Sequence, residues 1–298
     1  MSDTFLSPGG LATLSCILEV VAPKPGNVHR GADFDDVTLG DFTTSAVLLG
    51  GVIDRLPESS VGATVLQAVR LNLEIVGTNT NLGIILLLVP LAKLVAADPD
   101  ALLSSERISA FLSELKKEDG AQFYEAIRLA SPAGLGTVQK LDVADANSEF
   151  VDLMAAMELA RDRDMVARQY SEGFRMLFEF AVPAIERGRS LLGGLTEGIV
   201  YAHVALMAEF PDSLIARKCG LEVARHSQML ASKAMETLVS DGAGDISASR
   251  EEYWKRVSEL DFWLRSDGHQ RNPGTTADLI AASLFIGIHN QIIEPPFR

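Results

Sequence analysis

The sequence predicts an all-α protein, and three observations carry that expectation. Nearly every apolar stretch recurs at three- and four-residue spacing, and few stretches alternate as a half-buried strand does. Helix-capping residues and Pro or Gly stops fall at the ends of those stretches. The chain is also large enough to cover such helices, with 298 residues of which 47% are hydrophobic.

In chain order, "LATLSCILEVVA" reads as a first helix stopped by Pro23, and "LGDFTTSAVLLGGVIDRL" as a second. "SVGATVLQAVRLNLEIVG" is a third, with Gly77 as its C-terminal cap. A very apolar run begins near Thr80, and "SSERISAFLSELKKE" starts on a serine cap. "GAQFYEAIRLA", "EFVDLMAAMELA", "MVARQYSEGFRMLFEFA", "LTEGIVYAHVALMAEF", "GLEVARHSQMLASKAMETLV" and "REEYWKRVSELDFWL" continue the pattern, and "TTADLIAASLFIGIHNQII" closes it. The count is about a dozen helices. No Ser/Gly/Pro-rich linker divides them and no repeat of 30–50 residues is visible, so residues 1–298 are expected to form one helical domain. The largest breaks are the loops "SPAGLGTVQKLDV" and "SDGAGDISAS".

Charge and composition exclude several classes. A net charge of −14 repels phosphate backbones, so nucleic acid is not an expected partner, although a local basic pocket for a small anion remains open. The greasiest run, Leu82–Ala97, contains Pro90 and Lys93 and falls short of the roughly 20 residues of a membrane span. The first residues lack a basic stretch followed by an apolar one, as a signal peptide requires. A cytoplasmic location is therefore expected, with Cys16 and Cys219 as free thiols. A homodimer stays open, since no exposed apolar face is legible.

Four stretches depart from the amphipathic pattern. In "PKPGNVHRGADFDD" the cations Lys24, His29 and Arg30 share one glycine-bearing loop with Asp33, Asp35 and Asp36. Cations suit phosphate oxygens and carboxylates suit the magnesium that bridges them; local ion pairs and a helix cap are the alternative. In "TNTNLG", Asn79 and Asn81 offer donors and acceptors beside Gly83, which would expose the amides of a helix N-terminus, whereas Thr78 or Thr80 would explain it as plain capping. In "EFPDSLIARKCG", Asp212 or Ser213 caps a helix that ends on Arg217 and Lys218. In "RSDGHQRNPGTTADL", Thr275 and Asp278 fit a capping box, which leaves His269, Arg271 and Asn272 without an explanation. His203, His226 and His289 sit singly in helices and read as packing residues. "ARDRDMVAR" reads as a helix-end charge cluster, and no P-loop, dinucleotide fingerprint or nucleophile elbow is present.

Taken together and in order, "EVVAPKPGNVHRGADFDD", "NTNLGI", "PDSLIARKCG" and "NPGTTADLIAASLF" resemble the signature blocks of the triphosphoribosyl-dephospho-CoA synthase family over about Leu11 to Phe285. The resemblance implies a helical, magnesium-dependent transferase that joins ATP to 3′-dephospho-CoA, forms 2′-(5″-triphosphoribosyl)-3′-dephospho-CoA and releases adenine. It implies phosphate-holding roles for Lys24 and Arg30, a magnesium or base role for Asp35, and site positions for Asn79, Asn272, Gly274 and Asp278; the polar stretches themselves add Asn81, Arg217 and Lys218 as expected phosphate- or nucleotide-binding residues. Asp35, Asp33 and His29 become the expected catalytic groups, and Asp33, Asp35, Asp36 and Asp278 the expected metal ligands. Two departures stand out: Asp33 replaces a histidine of the family pattern, and Asn81–Leu82 replace a His-Lys pair. They leave open a related cofactor-biosynthesis enzyme with another phosphorylated ribosyl donor or acceptor. A non-catalytic helical binding protein is the third reading, and it requires that the polar stretches do not converge.

Overall fold

The computed structural model describes residues 6–130, 152–238 and 246–297. Fourteen α-helices and one π-turn make up its ordered elements, with a four-residue extended segment, β1 (Ser266–His269), as the sole named strand among the described residues. The all-α expectation therefore holds. The loop "SPAGLGTVQKLDV" and most of "SDGAGDISAS" lie outside the described residues.

Two helices are apolar around their whole circumference, α4 (Leu82–Ala97) and α14 (Gly274–His289), and both are buried along nearly their full length. They form the centre. Packed on them are α1 (Pro8–Val21), α2 (Leu39–Arg55), α3 (Val61–Val76) and α10 (Leu195–Glu209), with a single contiguous hydrophobic cluster running from Leu11 to Ile293. The remaining helices clothe this centre: α5 (Ser105–Ser113), α6 (Lys117–Ala130), α7 (Leu153–Ala160), α8 (Met165–Ser171), α9 (Val182–Leu192), α11 (Ser213–Cys219), α12 (Leu221–Glu236) and α13 (Ile246–Arg265). No single described helix is long and apolar enough to cross a membrane. The bent pair α10 and α11 reaches that length and composition only jointly, across a 58° break, and α10 is buried by the protein itself.

Backbone accounting explains how α4 tolerates Pro90. Proline has no N–H, so the carbonyl of Leu86 loses its helical donor. The Tyr170 hydroxyl, fully buried on α8, donates to that oxygen at 2.5 Å. One side chain from a distant helix thus closes the gap, and it also ties α8 to the wall of the cavity described below. At the α1–α2 crossing the backbones approach so closely that a Cβ on Gly9 would meet the Gly50 carbonyl at 2.1 Å.

The boundaries differ from the sequence reading in three places. "SSERISAFLSELKKE" splits into α5 and the start of α6, with Ser104 as the α5 cap. "MVARQYSEGFRMLFEFA" breaks after Ser171, where Gly173 and Phe174 take positive φ, and resumes as the π-turn Leu177–Ala181. Phe174 is completely buried edge-on against Tyr170, and this packing holds a conformation that helix periodicity cannot reveal. α9 is an additional helix; it begins at Val182 with Pro183 in its first turn and is capped by Gly193 in the left-handed region. Gly77 caps α3 with φ 82°, as its position predicted.

Candidate active site

The N-terminus of α4, the N-terminus of α14, the last turn of α1 and α11 meet around a cavity of about 740 Å³. Its size suits a nucleotide-sized ligand. Two carboxylates from different helices line it: Glu19 from α1 and Asp278 from α14. Glu19 is nearly sealed from solvent and pairs with Lys24 Nζ at 2.8 Å. Burial pushes the Glu19 carboxyl up, and the Lys24 ammonium opposes that shift. Asp278 has no such partner. Burial, then the Glu19 charge, then the Asp212 charge drive its carboxyl well above the usual range.

Helix α4 is arranged around Asp278. The Asn79 side chain accepts from Leu82 N at 3.1 Å and serves the first turn. Thr80 does not cap; its hydroxyl shares a proton with Ser45 at 2.6 Å and meets Asn72. Asn81 is 4% exposed, lines the cavity, and its Oδ1 is buried without a partner. Gly83 follows because the Asp278 carboxylate fills the space where a side chain would stand: a Cβ there would lie 2.0 Å from Asp278 Oδ2. Gly83→Ala should therefore displace the carboxylate, the flexible partner, and leave the fold nearly unchanged. Misplacement of a reacting group by about 1 Å costs on the order of 100-fold in rate. We expect at least a tenfold loss of turnover with a melting temperature within about 3 °C of wild type; unchanged turnover would separate Asp278 from the chemistry.

Asp212, not Thr275, organises the start of α14. Its Oδ1 accepts from Leu214 N at 2.8 Å and Ile215 N at 3.0 Å, capping α11. Its Oδ2 accepts from Thr276 N and the Thr276 hydroxyl, both at 2.8 Å. The capping box expected from Thr275 and Asp278 is thus replaced by a carboxylate from another helix, and Asp278 is released to face the cavity.

The cationic wall comes from α11 and the segment before α8. Arg217 pairs with Asp164, which also caps α8, while the Arg217 Nε is buried without a partner. Lys218 donates to His269 O at 2.7 Å and to Asn272 Oδ1 at 3.0 Å. His269 Nδ1 meets Asp36 Oδ1 at 2.8 Å, which closes this side of the rim. Arg163, read from sequence as part of a charge cluster, lines the cavity, and its guanidinium makes no ion pair with any described residue. Sequence alone gave no signal for it, because Arg163 and Asp164 are distinguished only by which way the turn before α8 points them. The cavity also has an apolar lining, with Leu82, Ile84, Leu86, Val166, Ala167 and Met157.

Of the residues singled out from sequence, Asp36, Asn79, Asn81, Arg217, Lys218, Asn272, Gly274 and Asp278 line this one cavity. Five do not. Lys24 is turned into the core, where Nζ meets Glu19 and the Ala22 carbonyl at 3.3 Å, so it stands behind Glu19. His29 folds back to accept from Gly31 N at 3.1 Å. Arg30 and Asp35 are exposed outside the lining, and Asp33 accepts from Leu39 N at 2.7 Å at the start of α2. Among the described residues no three metal-ligating side chains gather, so Asp33, Asp35, Asp36 and Asp278 do not form a joint cluster. Glu19 was missed because an acidic residue late in an amphipathic helix carries no motif; only the crossing of α1 and α14 brings it to the site.

Fold and site define a helical protein with a nucleotide-sized cavity, lined by two carboxylates from different helices and edged by cations. The chain belongs to the ATP:dephospho-CoA triphosphoribosyl transferase family, whose model matches residues 6–295. A protein of Pseudomonas syringae pv. tomato (strain ATCC BAA-871 / DC3000), provisionally named 2-(5''-triphosphoribosyl)-3'-dephosphocoenzyme-A synthase, is 26% identical over 171 residues. That match covers 51% of this chain and 55% of the relative, so the chain spans about half the length of the curated relative it matches. A crystal structure from Archaeoglobus fulgidus, provisionally named as a triphosphoribosyl-dephospho-CoA synthase, superposes with a TM-score of 0.59 at 23% identity, covering 86% of this chain and 99% of that one. At that identity the likeness concerns the fold.

Proposed function

We propose that this chain transfers the triphosphoribosyl group of ATP to the ribose hydroxyl of 3′-dephospho-CoA and releases adenine. The observation that carries the reading is the pair of carboxylates, Glu19 and Asp278, which come from different helices to line one cavity, the first ion-paired with Lys24 and the second not ion-paired with any described residue. Lys24 favours the charged form of Glu19, whereas Asp278 makes no ion pair with any described residue and its burial, against a weaker pull from Arg217, favours the protonated form. Pairs split in this way divide acid and base roles.

The chemistry then balances. The C1′–N9 bond of ATP breaks and a bond from C1′ to the acceptor oxygen forms. Asp278 gives its proton to the departing adenine, while Glu19 takes the hydroxyl proton of the acceptor. Positive charge builds at C1′ between them, as in glycoside hydrolysis, and carboxylate oxygens stabilise it. The triphosphate needs only to be held, by Arg163, Arg217 and Lys218. The apolar wall receives the base. Magnesium would fit as the counter-ion of the triphosphate: Mg²⁺ binds through one or two carboxylates plus phosphate oxygens, and Asp36 would hold it while Asp278 keeps its acid role. When bound it neutralises phosphate charge.

The test is incubation with ATP, magnesium and 3′-dephospho-CoA, read by chromatography for adenine and by mass spectrometry for the product. Adenine at one equivalent per product is the expected result. Its absence with folded protein rejects the reaction. Leu82 supports a second reading, since it places an apolar side chain on the cavity where the family pattern has a lysine. An acceptor with less negative charge than dephospho-CoA would fit that wall, and turnover confined to dephospho-CoA in an acceptor panel rejects it.

A further inference from the structure

Asn81 holds a primary amide at the wall of the cavity, on a residue 96% removed from solvent. Its Oδ1 is buried and makes no hydrogen bond in the structure. The capping work at this helix end is done by Asn79, so Asn81 is not needed for α4. Leaving a buried polar group unpaired costs about 1–3 kcal/mol. Other buried side-chain atoms also lack a partner, but among the described residues with such an atom only Asn81, Tyr124 and Arg217 line the cavity, where a ligand can pair them.

We infer that Asn81 reads the base of the nucleotide donor, accepting from the exocyclic amine of adenine and donating to the adjacent ring nitrogen. An amide offers an acceptor beside a donor at the spacing of the adenine N6 and N7 pair. The neighbouring Leu82, Ile84 and Leu86 give the base an apolar bed, and the cations Arg163, Arg217 and Lys218 mark where the phosphates lie. The inference rests on the proposed use of ATP and adds a selectivity to it. A hypoxanthine ring carries an oxygen in place of the amine, so it would set an acceptor against Asn81 Oδ1.

Binding of ATP and ITP, each with magnesium and without acceptor, should be measured by titration calorimetry on wild type, Asn81→Leu and Asn81→Ala. Wild type should prefer ATP by at least about tenfold, as one bidentate base contact implies. Both variants should lose most of that preference, chiefly by weaker ATP binding, with helical content unchanged. Equal binding of ATP and ITP by wild type overturns the inference without any variant. So does a variant that weakens both nucleotides by the same factor, which marks Asn81 as structural. Binding that discriminates between the bases without adenine release would leave base reading standing and remove the proposed reaction. Turnover with equal KM for ATP and ITP would do the reverse.

Discussion

Asp278→Asn should reduce turnover by roughly 100- to 10,000-fold, the range that a positioned acid or base contributes, while the protein remains folded and becomes more resistant to heat at higher pH. The sign follows from the shift. The Asp278 carboxyl is raised far above its ordinary value by burial and by Glu19. A group raised in the folded state contributes stability that is complete below its unfolded pKa and is lost as pH rises through the folded pKa. Wild type therefore loses stability across that window as the buried carboxyl is forced to ionise, and the asparagine variant does not. The difference in melting temperature, variant minus wild type, should grow from acid to alkaline pH. Thermal melts at several pH values, beside an adenine-release assay, check both halves. A variant that keeps its rate, or one whose melting difference is flat with pH, contradicts the assignment.

Asp212→Ala is expected to have the largest effect on stability. One fully buried carboxylate accepts four hydrogen bonds, two from the first turn of α11 and two from Thr276 at the start of α14. Alanine strands all four donors in the interior. Loss of a helix cap costs about 1 kcal/mol and buried unpaired donors cost about 1–3 kcal/mol, so the total should be on the order of 2–4 kcal/mol. Urea unfolding should show a lower midpoint at unchanged slope. Asp212→Asn keeps one acceptor oxygen and should recover part of the loss. Activity should fall too, since the same bonds fix the turn that carries Asn272 and Gly274. If Asp212→Ala melts like wild type, the carboxylate is not what holds α11 to α14.

The helices were legible because their signals are local. The 3.6-residue period of α2, α3 and α12, the serine cap of α5 and the Gly77 stop of α3 are written within a few residues of the features they produce. The break at Gly173–Phe174 was not legible, because a buried aromatic with positive φ is held by distant packing. Much of the site was legible for a different reason: Asn79, Asn81, Arg217, Lys218, Asn272 and Asp278 lie in polar stretches that an amphipathic helix does not need. The loop Lys24–Asp36 misled in detail, since charge density in a loop does not reveal which side chains turn inward. Lys24 turned toward the core and Asp33 toward the α2 terminus, and of the loop's charged side chains only Asp36 reached the cavity.

By itself the sequence determined the fold class, the approximate helix ends and the blocks that place the chain in its family. Those depend on spacing along the chain and on residue chemistry. The tertiary structure alone decided that Glu19 faces Asp278, that Gly83 makes room for that carboxylate, that Asp212 replaces the expected capping box, and that the Asn81 amide is left unpaired. Each of these joins residues tens to hundreds of positions apart, and their proximity follows from how helices cross and not from any local pattern.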